Sequence, residues 1–352
     1  MNKGRSIAFM KERTINYDKI NYGFSLLKML MAFEVLLGHF AIWEQYDPRI
    51  VWPFREMVSL AVPSFMILSF YLTAKSFLSR DDKKFKVRLK KLIMPQLIWA
   101  VIYYVIYVLI DLTRHKNLSD SPMDLFWQML TGHSRNLNPS MWYQADVIVV
   151  TILFYLIFRK LNEKKGYLAL IIMTVSCYFL QFSGINRALF GELEFELKYP
   201  LGRIAEMIPF AFIGFSIRYF NLYEKLKKFR YIVMPLCIVL FFAGYYIPWP
   251  EVKDFGFSGF AKPYLALCIV TFAYLVPLEN LNLPLKKAIV KITDYSLGIY
   301  CIHRLINTLL LVFVPSFQPQ SFERCIVLYI VCYFVCFLIS RIRNEYARLI
   351  VN

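Results

Sequence analysis

Ten long apolar stretches constrain the fold of this 352-residue chain more than any other feature. Each could cross the roughly 30 Å hydrocarbon core of a bilayer as a helix. Because backbone polar groups must be satisfied internally in lipid, the pattern predicts an all-α polytopic membrane helix bundle with about ten transmembrane helices. We expect residues 1–352 to form one integral-membrane domain. The stretches lie at about 20–43, 56–78, 92–111, 141–158, 167–183, 203–220, 231–248, 259–278, 292–313 and 323–340.

Positive charge is divided unevenly between alternate loops. Of the 41 lysine and arginine residues, 27 fall in the loops of one side, 10 in those of the other, and four inside the apolar stretches. Cytoplasmic loops carry the excess of such residues, so both termini are expected in the cytoplasm, including the basic segment 1–19 and the tail 341–352. Membrane topology therefore explains the net charge of +17. We expect membrane lipids among the partners of this protein and no nucleic acid.

The first stretch contains Lys28, Glu34 and His39. Ionisable groups in a membrane are costly unless they pair or line a wet cavity, so they are candidates for function. Lys28 and His39 are about three helical turns apart and share a helix face, with roughly 16 Å between them in depth. Glu34 lies about 140° around the helix from His39, so we expect it to support the site by pairing with a cation on another helix.

Four further positions in the apolar stretches carry ionisable side chains of interest. His303 is predicted at a depth comparable to that of His39, and an imidazole titrates near neutral pH, which suits a general acid or base. We therefore take His39 and His303 as candidate catalytic residues.

Arg304 points to another face than His303, and a carboxylate or carbonyl on a partner helix is expected to satisfy it. Arg203 and Glu206, one turn apart, could form a structural ion pair or line an external cleft.

A dense basic run precedes the third stretch. In it, Arg88 and Lys91 are spaced to present two cations on one helix face at the inner membrane surface. Such runs are often only topology signals or lipid-headgroup contacts. Arginine and lysine also bind phosphates, so Arg88, Lys91 and Lys28 are candidate ligands of a polyanionic cytosolic molecule.

Cysteine usage gives no sign of metal or disulfide chemistry. All seven cysteines fall in or at the edge of apolar stretches, and none forms a ligand-spaced pair outside the membrane. We expect them to be packing residues, with no metal site.

Several of these segments together resemble the integral-membrane acyltransferases called acyltransferase type 3. That family has ten core helices and begins with a cation, ten residues and a histidine, similar to Lys28 and His39. The other resembling segments are Pro63-Ser64-Phe65 with Ser69-Phe70-Tyr71-Leu72, Arg88-Leu89-Lys90-Lys91, Met141-Trp142-Tyr143 and Ser296-Leu297-Gly298-Ile299-Tyr300-Cys301-Ile302-His303. Lysine stands in place of arginine at positions 28 and 91, and Phe70 stands where the family usually has glycine.

The resemblance implies an O-acyltransferase that moves an acyl group, commonly acetyl, from cytosolic acyl-CoA to a hydroxyl of an extracytoplasmic or lipid-linked glycan. Acyl-CoA would be a co-substrate, with no permanently bound cofactor. Lys28, Arg88 and Lys91 would hold its phosphates, His39 and His303 would be catalytic, and Ser69, Tyr300 and Glu34 would support them. Such a protein would be a multi-pass protein of the cell membrane, namely the bacterial cytoplasmic membrane.

Other functions are compatible with ten helices and intramembrane charge. A polysaccharide or lipid-linked sugar exporter is the main alternative, although neither an internal repeat nor paired broken helices are visible. A non-enzymatic scaffold would leave Lys28 and His39 without a role. The identity of the acyl group and of the glycan, and the choice between direct transfer and an acyl-enzyme, stay open; the outer loop 112–140 is the candidate acceptor contact.

Overall fold

All ten apolar stretches contain helices in the computed structural model of the protein. The structure describes residues 17, 20–40, 59–114, 121–132, 140–182, 195–246, 258–314, 321–342 and 344–351. These ranges contain helices and no strand, which confirms the all-α bundle. The helices are α1 (Tyr22–Phe40), α2 (Ala61–Leu78), α3 (Asp82–Thr113), α4 (Pro122–Thr131), α5 (Trp142–Lys160), α6 (Glu163–Phe182), α7 (Phe195–Tyr219), α8 (Leu222–Leu226), α9 (Arg230–Tyr246), α10 (Ser258–Leu275), α11 (Leu283–Thr293), α12 (Ser296–Phe313), α13 (Phe322–Arg341) and α14 (Glu345–Leu349).

The membrane character of the bundle is clear from eight of these helices. Within the described ranges, α1, α2, α3, α5, α7, α10, α12 and α13 supply segments that are long and apolar enough to cross a membrane. Helices α6 and α9 lie at the other two predicted stretches.

The loops predicted to face the cytoplasm meet at one end of the bundle. There, Arg159 at the end of α5 pairs with Asp82 at the start of α3, with 3.3 Å between Nη1 and Oδ1. Arg80, just after α2, donates from Nη2 to the Leu161 carbonyl at 2.7 Å. The end of α2, the start of α3 and the end of α5 therefore lie at the same end of the bundle, as the charge pattern predicts. We call this basic end the inner end.

Helix α1 is central to the bundle and packs against α2, α10, α11, α12 and α13. Most of its buried positions are apolar, such as Met31, Leu36 and Leu37 with 0–2% of their surface exposed, and Glu34 is buried among them. This placement brings the functional candidates of α1 within reach of α12.

Phe70 does not prevent close helix packing. The ring is fully buried and packs against Phe154 of α5, with 4.8 Å between centroids. Close approach of α2 and α7 depends instead on Gly214, where an added Cβ would collide with the carbonyl oxygen of Ile67. The small residue that permits this contact is on the partner helix.

Four short helices, α4, α8, α11 and α14, occupy segments that the apolar pattern assigned to loops or tails. Helix α4 lies within the outer loop 112–140, and a capping box between Ser121 and Asp124 explains where it begins. Positions 115–120 and 133–139 of that loop lie outside the described residues. Helix α11 occupies a connection that the charge pattern assigns to the cytoplasm, and α14 belongs to the tail, where the Ile350 carbonyl accepts a hydrogen bond from Trp99 at 2.9 Å. Of the basic segment 1–19, only residue 17 is described.

Candidate functional site

The two intramembrane histidines stack on each other. The ring centroids of His39 and His303 are 5.3 Å apart and the ring planes differ by 15°. His39 lies one residue before the end of α1 and is exposed, whereas His303, in the second turn of α12, is 1% exposed. A reactant can therefore reach His39 first, with His303 behind it.

Arg304 and Ser140 complete this histidine pair. Arg304 Nη2 lies 3.0 Å from His39 Nδ1, and Arg304 Nε donates to Ser140 Oγ at 2.6 Å. Ser140 Oγ is in turn 3.1 Å from His39 Nε2. Among the described residues, Arg304 is thus satisfied by a hydroxyl and an imidazole, and the expected carboxylate or carbonyl partner is not seen. We refer to His39, His303, Arg304 and Ser140 as the histidine centre.

These contacts determine the tautomer of His39. A guanidinium only donates, so Nδ1 of His39 must be the unprotonated acceptor in this arrangement. A neutral imidazole then carries its proton on Nε2, which donates to Ser140 Oγ. The basic nitrogen of His39 is therefore covered by Arg304 in the structure, and movement of Arg304 would expose it.

His303 has the opposite tautomer. Its Nδ1 lies 2.7 Å from the Tyr300 carbonyl, which only accepts, so Nδ1 carries the proton. Nε2 is then a lone-pair acceptor, and it is buried with no hydrogen-bond partner among the residues that the structure describes. An unsatisfied buried acceptor is uncommon in folded proteins, and here it lies within the histidine centre.

Two tyrosines hold this part of α12 in place. The Tyr103 hydroxyl donates to the Cys301 carbonyl at 2.8 Å and accepts from the Leu305 amide at 3.0 Å. It thereby bridges the helical turn that carries His303 and Arg304. Tyr300, predicted to support the site, donates from its hydroxyl to the Ser140 carbonyl and so fixes the serine at the start of α5.

The predicted phosphate ligands on α3 have different surroundings. Arg88 is half-buried and donates from Nη2 to Ser69 Oγ of α2 at 2.6 Å, while its Nε is buried and has no hydrogen-bond partner in the described part of the chain. Lys91, one turn on, is exposed. The structure thus brings together Arg88 and Ser69, two residues that the sequence selected separately, and places Lys91 at the surface beside them.

Lys28 faces a different neighbour. Its nearest described electrostatic partner is Asp294, in the turn between α11 and α12. Burial raises the pKa of the Asp294 carboxyl, and the Lys28 ammonium partly opposes that rise. The described contacts therefore place Lys28 beside Asp294, and none joins it to Arg88 or Lys91.

Glu34 shows no ion pair within the described part of the chain. It is 3% exposed, and its Oε2 is buried without a hydrogen-bond partner. The expected pairing with a cation on another helix is thus not seen among these residues.

Arg203 and Glu206 do not pair with each other in the described structure. Arg203 lies over the Trp142 ring, with 3.9 Å from Cζ to the centroid, and Glu206 pairs with Lys262 at 3.8 Å. Both lie near Asp146, which is 2% exposed. Trp142, selected as part of a motif, therefore anchors an arginine near the outer end of α7.

Sequence reasoning did not select Ser140 or Arg304 as site residues. Arg304 gave a usable signal, since it is one of four cations inside the apolar stretches. Ser140 gave none. In the described ranges, no group of three or more His, Cys, Asp or Glu side chains could hold a metal ion.

Comparison with known proteins identifies the family. The family model Acyl_transf_3, described as an acyltransferase domain, matches residues 21–341. Searches of curated proteins and of solved structures found no match. The match spans nearly all of the chain and contains every member of the histidine centre, so this protein belongs to the acyltransferase type 3 family and is a membrane acyltransferase.

Proposed function

We propose that this acyltransferase moves an acetyl group from cytosolic acetyl-CoA to a hydroxyl of an extracytoplasmic or lipid-linked glycan. The observation that carries the proposal is the histidine centre. It combines an exposed imidazole, an arginine that covers its basic nitrogen, and a second imidazole with an unpaired lone pair. Proton transfer and stabilisation of an oxyanion are the two tasks of acyl transfer, and these groups suit both.

The reaction requires Arg304 to leave His39 Nδ1 when substrates bind. Nδ1 then removes the proton from the acceptor hydroxyl while the hydroxyl oxygen attacks the thioester carbonyl carbon. The negative charge that develops on the carbonyl oxygen is stabilised by the Arg304 guanidinium. Collapse of this intermediate breaks the carbon–sulfur bond, and the proton on Nδ1 passes to the CoA sulfur. The products are an ester and free CoA.

His303 and Ser140 orient this centre. In the proposal, the His303 Nε2 lone pair accepts a hydrogen bond from a second hydroxyl of the acceptor glycan, which orients the attacking oxygen toward His39 Nδ1. Ser140 Oγ holds the Nε2 proton of His39 and keeps the ring in its tautomer. Tyr103 and Tyr300 position these groups without contacting substrate.

Acetyl-CoA is proposed to bind from the inner end. Arg88 and Lys91 lie at the start of α3, and Lys28 lies about 16 Å from His39 by helix rise. Their cations would hold the CoA phosphates while the pantetheine arm extends along α1 toward His39. Because Arg88 already bonds Ser69 and Lys28 faces Asp294, phosphate binding would exchange or share these contacts.

The test is transfer by purified protein in vesicles. Acetyl-CoA labelled in the acetyl group is added on the side of the inner end, and a hydroxyl-bearing glycan is supplied on the other side. Base-labile label on the glycan supports the proposal. Movement of intact glycan without labelling would indicate a transporter and contradict it, and label retained on the protein would replace direct transfer by an acyl-enzyme.

A further inference from the structure

An apolar groove lies away from the histidine centre, toward the inner end of the bundle. Helix α10 forms its floor, and α1 and α9 form its two walls. Its volume is about 480 Å³, within the range of roughly 300–1,000 Å³ that is typical of ligand pockets. The proposed transfer reaction does not use this groove.

The groove is open toward the membrane and runs through its inner half. The wall residues Leu30, Phe242 and Ile238 are 40%, 44% and 46% exposed along its open side. From Gly23 to Leu30 the α1 wall extends about 10 Å by helix rise. The inner half of a bilayer's hydrocarbon core is about 15 Å thick. The groove therefore has the depth and polarity for an acyl chain of an inner-leaflet lipid.

The inner end of the groove is basic. Leu278 lines it there, and the neighbouring Glu279 accepts two cations at Oε1: Arg230 at 2.6 Å and Lys227 at 3.7 Å. On the α1 side, Lys286 lies over the Tyr22 ring at 5.7 Å. Three cations thus contact residues next to the lining. They face two carboxylates, Glu279 and Glu224, the latter accepting from Tyr274 beside the lining residue Ala273, so the excess charge is positive.

The apolar walls of the groove match the acyl chain of an anionic phospholipid, and its basic inner end matches the phosphate. We propose that this groove binds one anionic phospholipid of the inner leaflet, with an acyl chain between α1 and α9. Its phosphate would contact Arg230, Lys227 and Lys286. Basic pockets between membrane helices on the cytoplasmic side are suited to such headgroups. This inference is independent of the proposed transfer reaction, since none of these residues belongs to the histidine centre.

Native mass spectrometry of the whole protein tests the site. Protein is equilibrated with phosphatidylglycerol or with phosphatidylcholine, and bound lipids are counted. We expect one retained phosphatidylglycerol and about five-fold less retention of phosphatidylcholine. Ile238→Trp, which fills the groove, should lose the lipid, whereas Val239→Trp, on the same helix but outside the lining, should keep it.

Two further variants test the contacts proposed for the lipid headgroup. Arg230→Gln should remove most of the preference for phosphatidylglycerol while lipid is still retained, and Lys228→Gln, an exposed neighbour without an ion pair among the described residues, should not. Equal retention in Ile238→Trp and Val239→Trp would overturn the proposal. A protein dimer that the Ile238→Trp substitution dissociates would also overturn the proposal, because a second copy of the chain would then occupy the groove.

A second readout does not depend on the folding of variants. Cys237 and Cys268 line the groove, and Cys177 lies on α6 outside it. Labelling of wild-type protein with a lipid-soluble maleimide, mapped by peptide mass, should slow at Cys237 and Cys268 when phosphatidylglycerol is added, and stay unchanged at Cys177. Unchanged labelling at all three would contradict the proposal.

Discussion

His39 and His303 come from opposite ends of the chain and stack with 5.3 Å between their ring centroids. The stack places an exposed imidazole in front of a buried one, and Arg304 lies beside both through its contact with His39 Nδ1. His39 can therefore accept a proton at Nδ1 only when Arg304 moves away.

The His303→Phe variant tests the role of the His303 lone pair separately from the packing of its ring. Phenylalanine keeps an aromatic ring against His39 but removes the unpartnered Nε2 acceptor. We expect kcat for acetyl transfer to fall by about ten-fold or more, because the acceptor loses its orienting contact. Steady-state kinetics of purified protein checks this. A wild-type rate would reduce His303 to a packing residue.

Replacing Arg304 by Lys keeps the charge but removes the two-point contact. A lysine ammonium cannot bond Ser140 Oγ and His39 Nδ1 in the geometry of a guanidinium. We expect kcat to fall about 100-fold with little change in KM, the pattern of an interaction made in the transition state. Arg324→Lys, the same exchange at an exposed position of α13, is the control. Equal effects in both variants would remove Arg304 from the reaction centre.

Replacing Lys91 by Gln tests the CoA site at the surface. An exposed charge contributes little per contact, so KM for acetyl-CoA should rise about two- to five-fold, with kcat unchanged. The rise should shrink in high salt, because salt screens exposed charges. Lys86→Gln, which is exposed and about 140° around the same helix, should leave KM unchanged. A shift in kcat alone would contradict the phosphate role.

Asp81 makes the start of α3 sensitive to acid. Its carboxylate caps the helix by accepting from the Lys83 and Lys84 amides, and the Lys84 contacts hold its pKa below the usual range. Because the folded-state pKa is lowered, the stabilisation is complete above the ordinary value of about 3.9 and is lost as pH falls through the folded-state pKa. Asparagine caps a helix without titrating.

The measurement is thermal unfolding of wild type and Asp81→Asn in one detergent from pH 6 to pH 3. The wild-type Tm should fall relative to that of the variant as the pH drops. A difference in Tm that stays constant over this range would show that the Asp81 carboxylate has no such role.

The sequence predicted the bundle well because apolar length is a local property. All ten stretches contain helices, and the charge pattern agrees with the end at which Asp82 and Arg159 meet. Helices α4 and α11 were not predicted, because short amphipathic segments lack the long apolar run that marks a spanning helix.

The site was predicted in part, for a physical reason. His39 and His303 are rare residue types at unusual depth, and this local signal selected both. Ser140 lies just before α5, and its role comes only from the approach of α1, α5 and α12. Whether Arg304 contacts a carboxylate or an imidazole likewise depends on which helix packs beside it, and helix periodicity does not report that.

The most direct test of the histidine centre is acetyl transfer by His39→Ala. Purified wild-type and variant proteins in vesicles are supplied with labelled acetyl-CoA and glycan, with Lys228→Gln as an exposed control. The account predicts a loss of about 100- to 10,000-fold in kcat for His39→Ala, with KM for acetyl-CoA and Tm close to wild type. Full transfer by His39→Ala would contradict the assignment of His39 as the general base.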